Sequence, residues 1–241
     1  IGPTLVDIAR EKAGIISSET HVICGETSPE LTEVIVATEC REIWHRHSDF
    51  DASEDRLAVG GRLVDLVTPH GVHEEIFLPV NGAHQSQNAS IAVAAAEAFF
   101  GRQLEAELIS EAFGHLTLPA RFEIVQRQPT VIIDGAHNPP AAHVVAETLF
   151  HDFAVEEQPV LVIGANRPRD PREFLDALNV TEFSKIIATA ADWPRAVPAD
   201  ELAVAIEGNG VEVELIPRVP DAINRAIEIA GESGSILITG S

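Results

Sequence analysis

The stretch that most constrains the fold is residues 131–142, which read VIIDGAHNPPAA. Three apolar β-branched residues predict a buried strand, and the two prolines after Asn138 predict the first turn of a helix. In open α/β sheets, ligands bind at the carboxyl ends of strands, beside helix N-termini that favour anions. Asp134 and His137 fall at such an edge and are therefore candidate site residues. The alternative is that Asp134 only caps the turn and His137 lies on the surface.

Strand and helix patterns alternate through the second half of the chain, and this order predicts an α/β fold with a doubly wound, mostly parallel, Rossmann-like sheet. A proline-containing connector at 116–120 predicts a domain boundary, with one domain at 1–118 and the other at 119–241. The predicted strands are 122–126, 131–133, 160–163, 185–188, 211–215 and 235–238, and the predicted helices are 139–150, 171–178, 198–207 and 221–229.

The first half mixes helices with an alternating pattern typical of a hairpin. Thr4 and Gly14 bound a short helix on which Lys12 is expected close to the inner face formed by Leu5 and Ile8. His70 and His73 are expected in a turn. The other predicted elements are a strand at 21–24, helices at 29–44, 89–100 and 104–113, and a hairpin of 56–59 and 62–67 with a partner strand at 74–78.

Composition excludes several classes of function. The formal net charge is -22, with 38 acidic and 16 basic residues, which disfavours nucleic acid as a partner. No apolar run reaches membrane-span length and no export segment is visible. Cys24 and Cys40 are too few for a disulfide framework, so we expect a cytoplasmic protein. Because the chain lacks methionine and opens at Ile1, we expect it to be a fragment.

Two further polar residues are candidates for a binding site. Asn88 lies near the start of an alanine-rich helix and is expected to point to the interior, where it could bond neighbouring backbone or read an adenine edge with one donor and one acceptor. Arg121 lies in the connector, where it could meet a ligand held between two domains or form a surface pair with Glu123.

Four motifs together resemble the folylpolyglutamate synthase/dihydrofolate synthase family of the ATP-dependent Mur ligase superfamily. The resemblance covers essentially the whole chain, and it implies that 1–118 is the C-terminal portion of a P-loop-type central ATPase domain and 119–241 a truncated Mur-ligase C-terminal domain. The motifs are Glu-Lys-Ala-Gly-Ile at 11–15, His-Gln and Asn-Ala at 84–85 and 88–89, Pro-Ala-Arg-Phe-Glu at 119–123, and Asp-Gly-Ala-His-Asn-Pro at 134–139.

The resemblance implies a role for each candidate residue. Lys12 matches the lysine that becomes a carbamate and helps to hold Mg²⁺, and Asn88 matches the residue that reads adenine. Arg121 matches the arginine that contacts an ATP phosphate, Asp134 the aspartate on the ribose, and His137 lies in the same nucleotide-facing motif. Lys12, Arg121 and His137 are thus the predicted catalytic residues, with ATP and Mg²⁺ as cofactors.

The implied reaction joins dihydropteroate or a reduced folate to L-glutamate through an acyl phosphate, in a monomeric enzyme that binds neither nucleic acid nor membranes. The phosphate loop of the family, its metal-binding glutamate and a histidine would lie before Ile1, so the fragment alone is predicted to be inactive. The loop 164–170 departs from the Asp-Lys-Asp of the family, which puts a glutamate-binding role for this loop in doubt.

Two alternatives remain open, and a third is disfavoured. A peptidoglycan-type Mur ligase would join an amino acid to a UDP-sugar peptide, and a non-catalytic nucleotide-binding domain would need no phosphate loop. A dinucleotide-binding module is disfavoured, because no Gly-x-Gly-x-x-Gly opens a helix after any predicted strand.

Overall fold

The computed structural model describes residues 2, 4–153, 155, 157–167, 171–208 and 210–240. The chain forms two compact units, of which unit 1 comprises 1–79 and 83–116 and unit 2 comprises 80–82 and 117–241. The domain limits predicted from the sequence remain a prediction. Within the described residues, no helix is both long and apolar enough to span a membrane.

Unit 1 combines helices with two small sheets. Its helices are α1 (Leu5–Ala13), α2 (Pro29–Val36), α3 (Ala83–Phe100) and α4 (Ala106–Gly114). Strands β1 (His21–Cys24) and β2 (Glu42–His45) pair in parallel. Strands β3 (Asp51–Ala58), β4 (Gly61–Thr68) and β5 (Gly71–Leu78) form an antiparallel sheet in that order.

Helix α1 begins as predicted, at a capping box. The Thr4 hydroxyl accepts a hydrogen bond from the Asp7 N–H at 3.1 Å, and the Asp7 carboxylate accepts one from the Thr4 N–H at 3.2 Å. The predicted inner face is wrong for two residues, since Leu5 is 69% exposed and Lys12 is exposed. Ala13 is the buried residue of this helix.

The predicted helix 29–44 is also wrong, because α2 ends at Val36 and β2 follows. In β2, Trp44 pairs with Ile23 of β1 and packs in a buried cluster with Phe50. A β-branched residue and an aromatic residue gain more from this parallel pairing and burial than from extending the helix, which local periodicity cannot show.

The predicted hairpin is confirmed, with longer strands. Gly60 adopts a φ of 82° in its turn, a conformation that suits glycine. The next turn occupies only positions 69 and 70, so β5 already starts at Gly71. The prediction that His73 lies in a turn is therefore wrong, and His73 is a buried strand residue with 2% exposure.

Unit 2 is a six-stranded sheet in the order β10-β9-β8-β11-β7-β6, parallel except for β6, which runs antiparallel to β7. Its strands are β6 (Glu123–Arg127), β7 (Thr130–Ile133), β8 (Val160–Gly164), β9 (Lys185–Ala190), β10 (Val213–Arg218) and β11 (Ser235–Gly240). Its helices are α5 (Pro139–Glu147), α6 (Pro171–Ala177), α7 (Ala199–Ile206) and α8 (Val219–Ala230), with a π-helical turn at Thr148–Asp152 and a 3-10 turn at Val180–Glu182.

Helices cover both faces of this sheet. One face packs residues such as Leu161 and Leu237 against α5, α6 and α7. The opposite face packs residues such as Val162 and Ile236 against Ala222 of α8. Burial on both faces accounts for the continuous apolar strands of the sequence, and it confirms the predicted doubly wound, mostly parallel α/β architecture.

Candidate functional site

The turn after β7 is built around the carboxylate of Asp134, which is 8% exposed. Its Oδ1 accepts a hydrogen bond from the Ala136 N–H at 2.7 Å, and its Oδ2 accepts one from the Phe122 N–H at 2.8 Å. The same side chain therefore holds both the turn and the end of the 116–120 connector. The structure gives Asp134 this turn-forming role, and its contact with a ribose stays a prediction.

His137 is exposed in this turn, just before the N-terminus of α5. Its Nδ1 lies 2.9 Å from the carbonyl oxygen of Gly135. Because a carbonyl can only accept, Nδ1 carries the proton, and Nε2 is an acceptor in the neutral ring and a donor in the charged ring. The Asn138 side chain caps α5 by accepting a hydrogen bond from the Ala141 N–H at 2.9 Å.

Arg121 is exposed on the connector, between two residues in the left-handed region. Ala120 has a φ of 54° and Phe122 a φ of 49°, an arrangement that is uncommon for residues other than glycine. A Cβ added at Gly135 would lie 3.4 Å from the carbonyl oxygen of Ala120 and 3.6 Å from Nη1 of Arg121. The structure thus brings Arg121, Asp134 and His137 together around Gly135, as their motifs suggested.

A cavity of about 330 Å³ opens at the carboxyl ends of β8 and β11, and His137, Asn166 and Glu173 are among its lining residues. Within the described residues, the buried Oδ1 of Asn166 has no hydrogen-bond partner. Gly240 has a φ of 106°, and a Cβ there would clash with the carbonyl of Gly164. Backbone close approach therefore shapes this edge of the cavity.

Sequence reasoning missed Asn166 and Glu173 as site residues. The available signal for Asn166 was its position just past the end of a predicted buried strand, where ligands bind in such sheets. Glu173 lies in the first turn of the helix that follows the loop. Three residues of the loop that departs from the family pattern, 168–170, lie outside the described part of the chain.

Asn88 and Lys12 belong to unit 1. The expectation that Asn88 points to the interior is wrong: it is exposed, and its Nδ2 donates to Oε1 of Gln85 at 3.1 Å. The helix buries Gln85 and Ala89 instead, which turns position 88 outward. Its amide therefore faces solvent, and adenine reading stays a prediction.

Lys12 lies in the last turn of α1 with its side chain exposed, so its amine is accessible. The described residues contain no group of three or more His, Cys, Asp or Glu side chains that could hold a metal ion. Lys12 could contribute one ligand as a carbamate, and this role stays a prediction.

Comparison with known proteins identifies the family to which this chain belongs. Residues 120–241 match the family described as "Mur ligase, glutamate ligase domain". The dihydrofolate synthase/folylpolyglutamate synthase of Mycobacterium tuberculosis is 35% identical over 269 aligned positions, which span 100% of this chain and 55% of that protein.

Two solved structures agree with this match. Mycobacterium tuberculosis folylpolyglutamate synthase complexed with ADP aligns with a TM-score of 0.92 at 34% identity, over 100% of this chain and 57% of that chain. E. coli FolC in complex with DHPP and ADP aligns with a TM-score of 0.84 at 26% identity, over 100% of this chain and 55% of that one. This chain therefore spans little more than half the length of these relatives.

The resemblance seen in the motifs is confirmed: the chain belongs to the Mur ligase family through a glutamate ligase domain at residues 120–241, and it is a homologue of the folylpolyglutamate and dihydrofolate synthases.

Proposed function

We propose that the protein carrying this chain is an ATP-dependent ligase that joins the carboxylate of dihydropteroate or a reduced folate to the amino group of L-glutamate. The observation that carries the proposal is the 35% identity to a dihydrofolate synthase/folylpolyglutamate synthase across the whole chain. A relative whose solved structure contains ADP supports nucleotide binding.

The chemistry has two displacements. A carboxylate oxygen of the pteroate or folate attacks the γ-phosphorus of ATP, and ADP leaves. The amino nitrogen of glutamate then attacks the acyl carbon, loses a proton, and phosphate leaves as the amide forms. Neither step needs a nucleophile from the protein, so the task of the side chains is to position the substrates and stabilise charge.

Arg121 is suited to the phosphate chain of ATP. Its guanidinium is exposed, always charged, and able to form paired hydrogen bonds to phosphate oxygens. The residues on either side have left-handed backbone conformations, and its Nη1 lies beside the turn at Gly135. His137, three residues after Asp134 on the same turn, would add a donor when its ring is charged.

Asn88 is proposed to contact adenine, and Lys12 is proposed to bind Mg²⁺. The exposed amide of Asn88 offers the donor and acceptor that an adenine edge requires. Lys12 would hold Mg²⁺ as a carbamate. A carbamate forms on a primary amine, so arginine cannot form it. When bound, Mg²⁺ draws charge from the phosphate oxygens.

The cavity in unit 2 is proposed to receive the amino acid through acceptors other than the Asp-Lys-Asp that the loop 164–170 lacks. Asn166 Oδ1 is a buried acceptor without a partner in the described residues, and the Glu173 carboxylate is a second acceptor on the lining. Both can accept a hydrogen bond from the amino group of glutamate. The enzyme is proposed to act as a monomer in the cytoplasm, with neither nucleic acid nor membrane as a partner.

The test uses the full-length protein that carries this chain. Purified enzyme is given ATP and Mg²⁺ with either dihydropteroate or a reduced folate plus L-glutamate, or a UDP-muramyl peptide plus a mixture of amino acids that includes 2,6-diaminopimelate. Products are identified by mass spectrometry. Glutamylation of a pteroate or folate that depends on ATP supports the proposal. Product from the UDP-muramyl peptide alone would assign the peptidoglycan branch, and ADP binding without any amide product would assign a non-catalytic domain.

Arg121→Ala separates a site defect from a folding defect. Loss of one charged phosphate contact is expected to lower kcat/KM for ATP by at least tenfold, with an unchanged unfolding midpoint because the side chain is exposed. An unchanged kcat/KM would remove Arg121 from the site. The 241-residue chain alone is expected to show no glutamate-dependent ATP hydrolysis.

A further inference from the structure

The loop after β8 is bonded to the segment before α7 on both sides of Asn166. The Val197 N–H donates a hydrogen bond to the Ala165 carbonyl oxygen at 2.8 Å. The Arg167 N–H donates one to the Arg195 carbonyl oxygen at 2.9 Å. Asn166 lies between these two bonds, in an isolated antiparallel bridge. This short ladder therefore holds the backbone at Asn166.

A third contact joins the same two segments through side chains. Nη2 of Arg167 donates a hydrogen bond to Oε2 of Glu201 at 2.5 Å, and the two side chains form an ion pair. Glu201 lies in the first turn of α7, which begins just after the ladder ends. The inner face of this helix is packed into the core of unit 2, where Leu202 and Ile206 are fully buried. The ion pair therefore fastens the loop to an element with a fixed position.

The side chain of Asn166 depends on this support. Asn166 lines the cavity at the end of β8, and its buried Oδ1 has no hydrogen-bond partner among the described residues. A buried acceptor without a donor is unfavourable compared with the same group in water. A loop that was free to move would therefore turn this amide towards solvent. The ladder and the ion pair keep the acceptor at the cavity, where a ligand that donates a hydrogen bond can satisfy it.

We propose that Arg167 and Glu201 are positioning residues, which act through Asn166 on the binding of the amino acid in this cavity. The inference rests on the proposed function, since it assigns the amino group of L-glutamate as the donor to Asn166. Neither Arg167 nor Glu201 lines the cavity, so their effect on the amino acid is indirect. Their side chains are 58% and 52% exposed, and an exposed ion pair contributes little to global stability. Loss of the pair should therefore change the site without unfolding unit 2.

The test measures amide formation by the full-length enzyme at varied L-glutamate and at varied ATP. Glu201→Gln removes the ion pair and is expected to raise KM for L-glutamate about two- to fivefold, the range for an exposed pair. KM for ATP and the unfolding midpoint are expected to stay unchanged. Asp200→Asn is the matched control, because it removes the same charge from the same turn of α7, and the described contacts of Arg167 do not include Asp200. It is expected to leave all three quantities unchanged.

A double variant shows whether the ion pair acts through Asn166. Asn166→Ala alone is expected to raise KM for L-glutamate by about tenfold, because the amino group loses its acceptor. In that background, Glu201→Gln should raise KM no further, since the side chain that the pair positions is already gone. A further rise as large as in the wild-type background would show that the pair acts on the amino acid without Asn166, and would overturn the inference.

The outcomes separate this inference from the proposed function. Wild-type enzyme that forms no glutamate amide would refute the proposed function and the inference together. Active wild type with the same KM for L-glutamate as Glu201→Gln would overturn the inference alone, as would an equal rise in KM from Asp200→Asn. A lower unfolding midpoint and a raised KM for ATP in Glu201→Gln would assign the pair a general structural role, which also contradicts the inference.

Discussion

Replacing Asp134 by asparagine tests whether its carboxylate holds the turn after β7. Both carboxylate oxygens accept backbone N–H groups, at 2.7 Å and 2.8 Å, and the residue is 8% exposed. In Asp134→Asn, one of these acceptors becomes an NH₂ group that faces another donor. One charge-assisted hydrogen bond is lost, worth about 1.5–3 kcal/mol, and a buried N–H stays unsatisfied, at about 1–3 kcal/mol.

We therefore expect Asp134→Asn to lower the free energy of unfolding of unit 2 by roughly 3 kcal/mol. Urea unfolding followed by Trp193 fluorescence, in a Trp44→Phe background, would measure this change. Asp176→Asn, the same substitution at an exposed position of α6, is the matched control, with an expected effect within about 0.5 kcal/mol. Equal effects of the two substitutions would refute the hydrogen-bonding argument.

Three smaller predictions concern single side chains. Asn138→Ala removes the cap of α5 and should cost about 1 kcal/mol in urea unfolding of unit 2; no change would contradict the cap. Burial raises the pKa of the Cys24 thiol, so iodoacetamide should label the less buried Cys40 first, as read by peptide mass spectrometry. The Thr4 hydroxyl and N–H lower the pKa of Asp7. A carboxyl group whose pKa is lowered by folding stabilises the folded state at pH values above its unfolded pKa of about 3.9, and this stabilisation is lost as the pH falls through the folded pKa. The stability difference between wild type and Thr4→Ala should therefore shrink below pH 4.

The sheet of unit 2 could be predicted from the sequence because its signals are local. Val131 and Leu161 lie in apolar runs that are bounded by turn residues. Such continuous runs are typical of parallel strands that helices cover on both faces, so they indicate the α/β fold class directly. The grouping of Arg121 with Asp134 could be anticipated from motifs, but their geometry depends on the N–H of Phe122, which no pattern displays.

Features that depend on distant contacts could not be predicted. The strand Glu42–His45 exists because it pairs with β1, which lies about twenty residues earlier in the chain. The buried pair of His73 and Glu97 joins residues that are 24 positions apart, one on β5 and the other on α3. Asn88 was expected inside because its helix is apolar overall, and only the packing of that helix decides which side faces solvent.

The position of β11 has a consequence for synthesis of the chain. This strand comes after all the others of its sheet, yet it lies between β8 and β7 and pairs in parallel with both. As the polypeptide leaves the ribosome, the β6–β7 ribbon and the β8–β9–β10 group therefore have no direct pairing until residues 235–240 emerge. Nascent chains stalled before that point should present two open strand edges, a target for chaperones and for aggregation, and those edges should close only on release of the last strand.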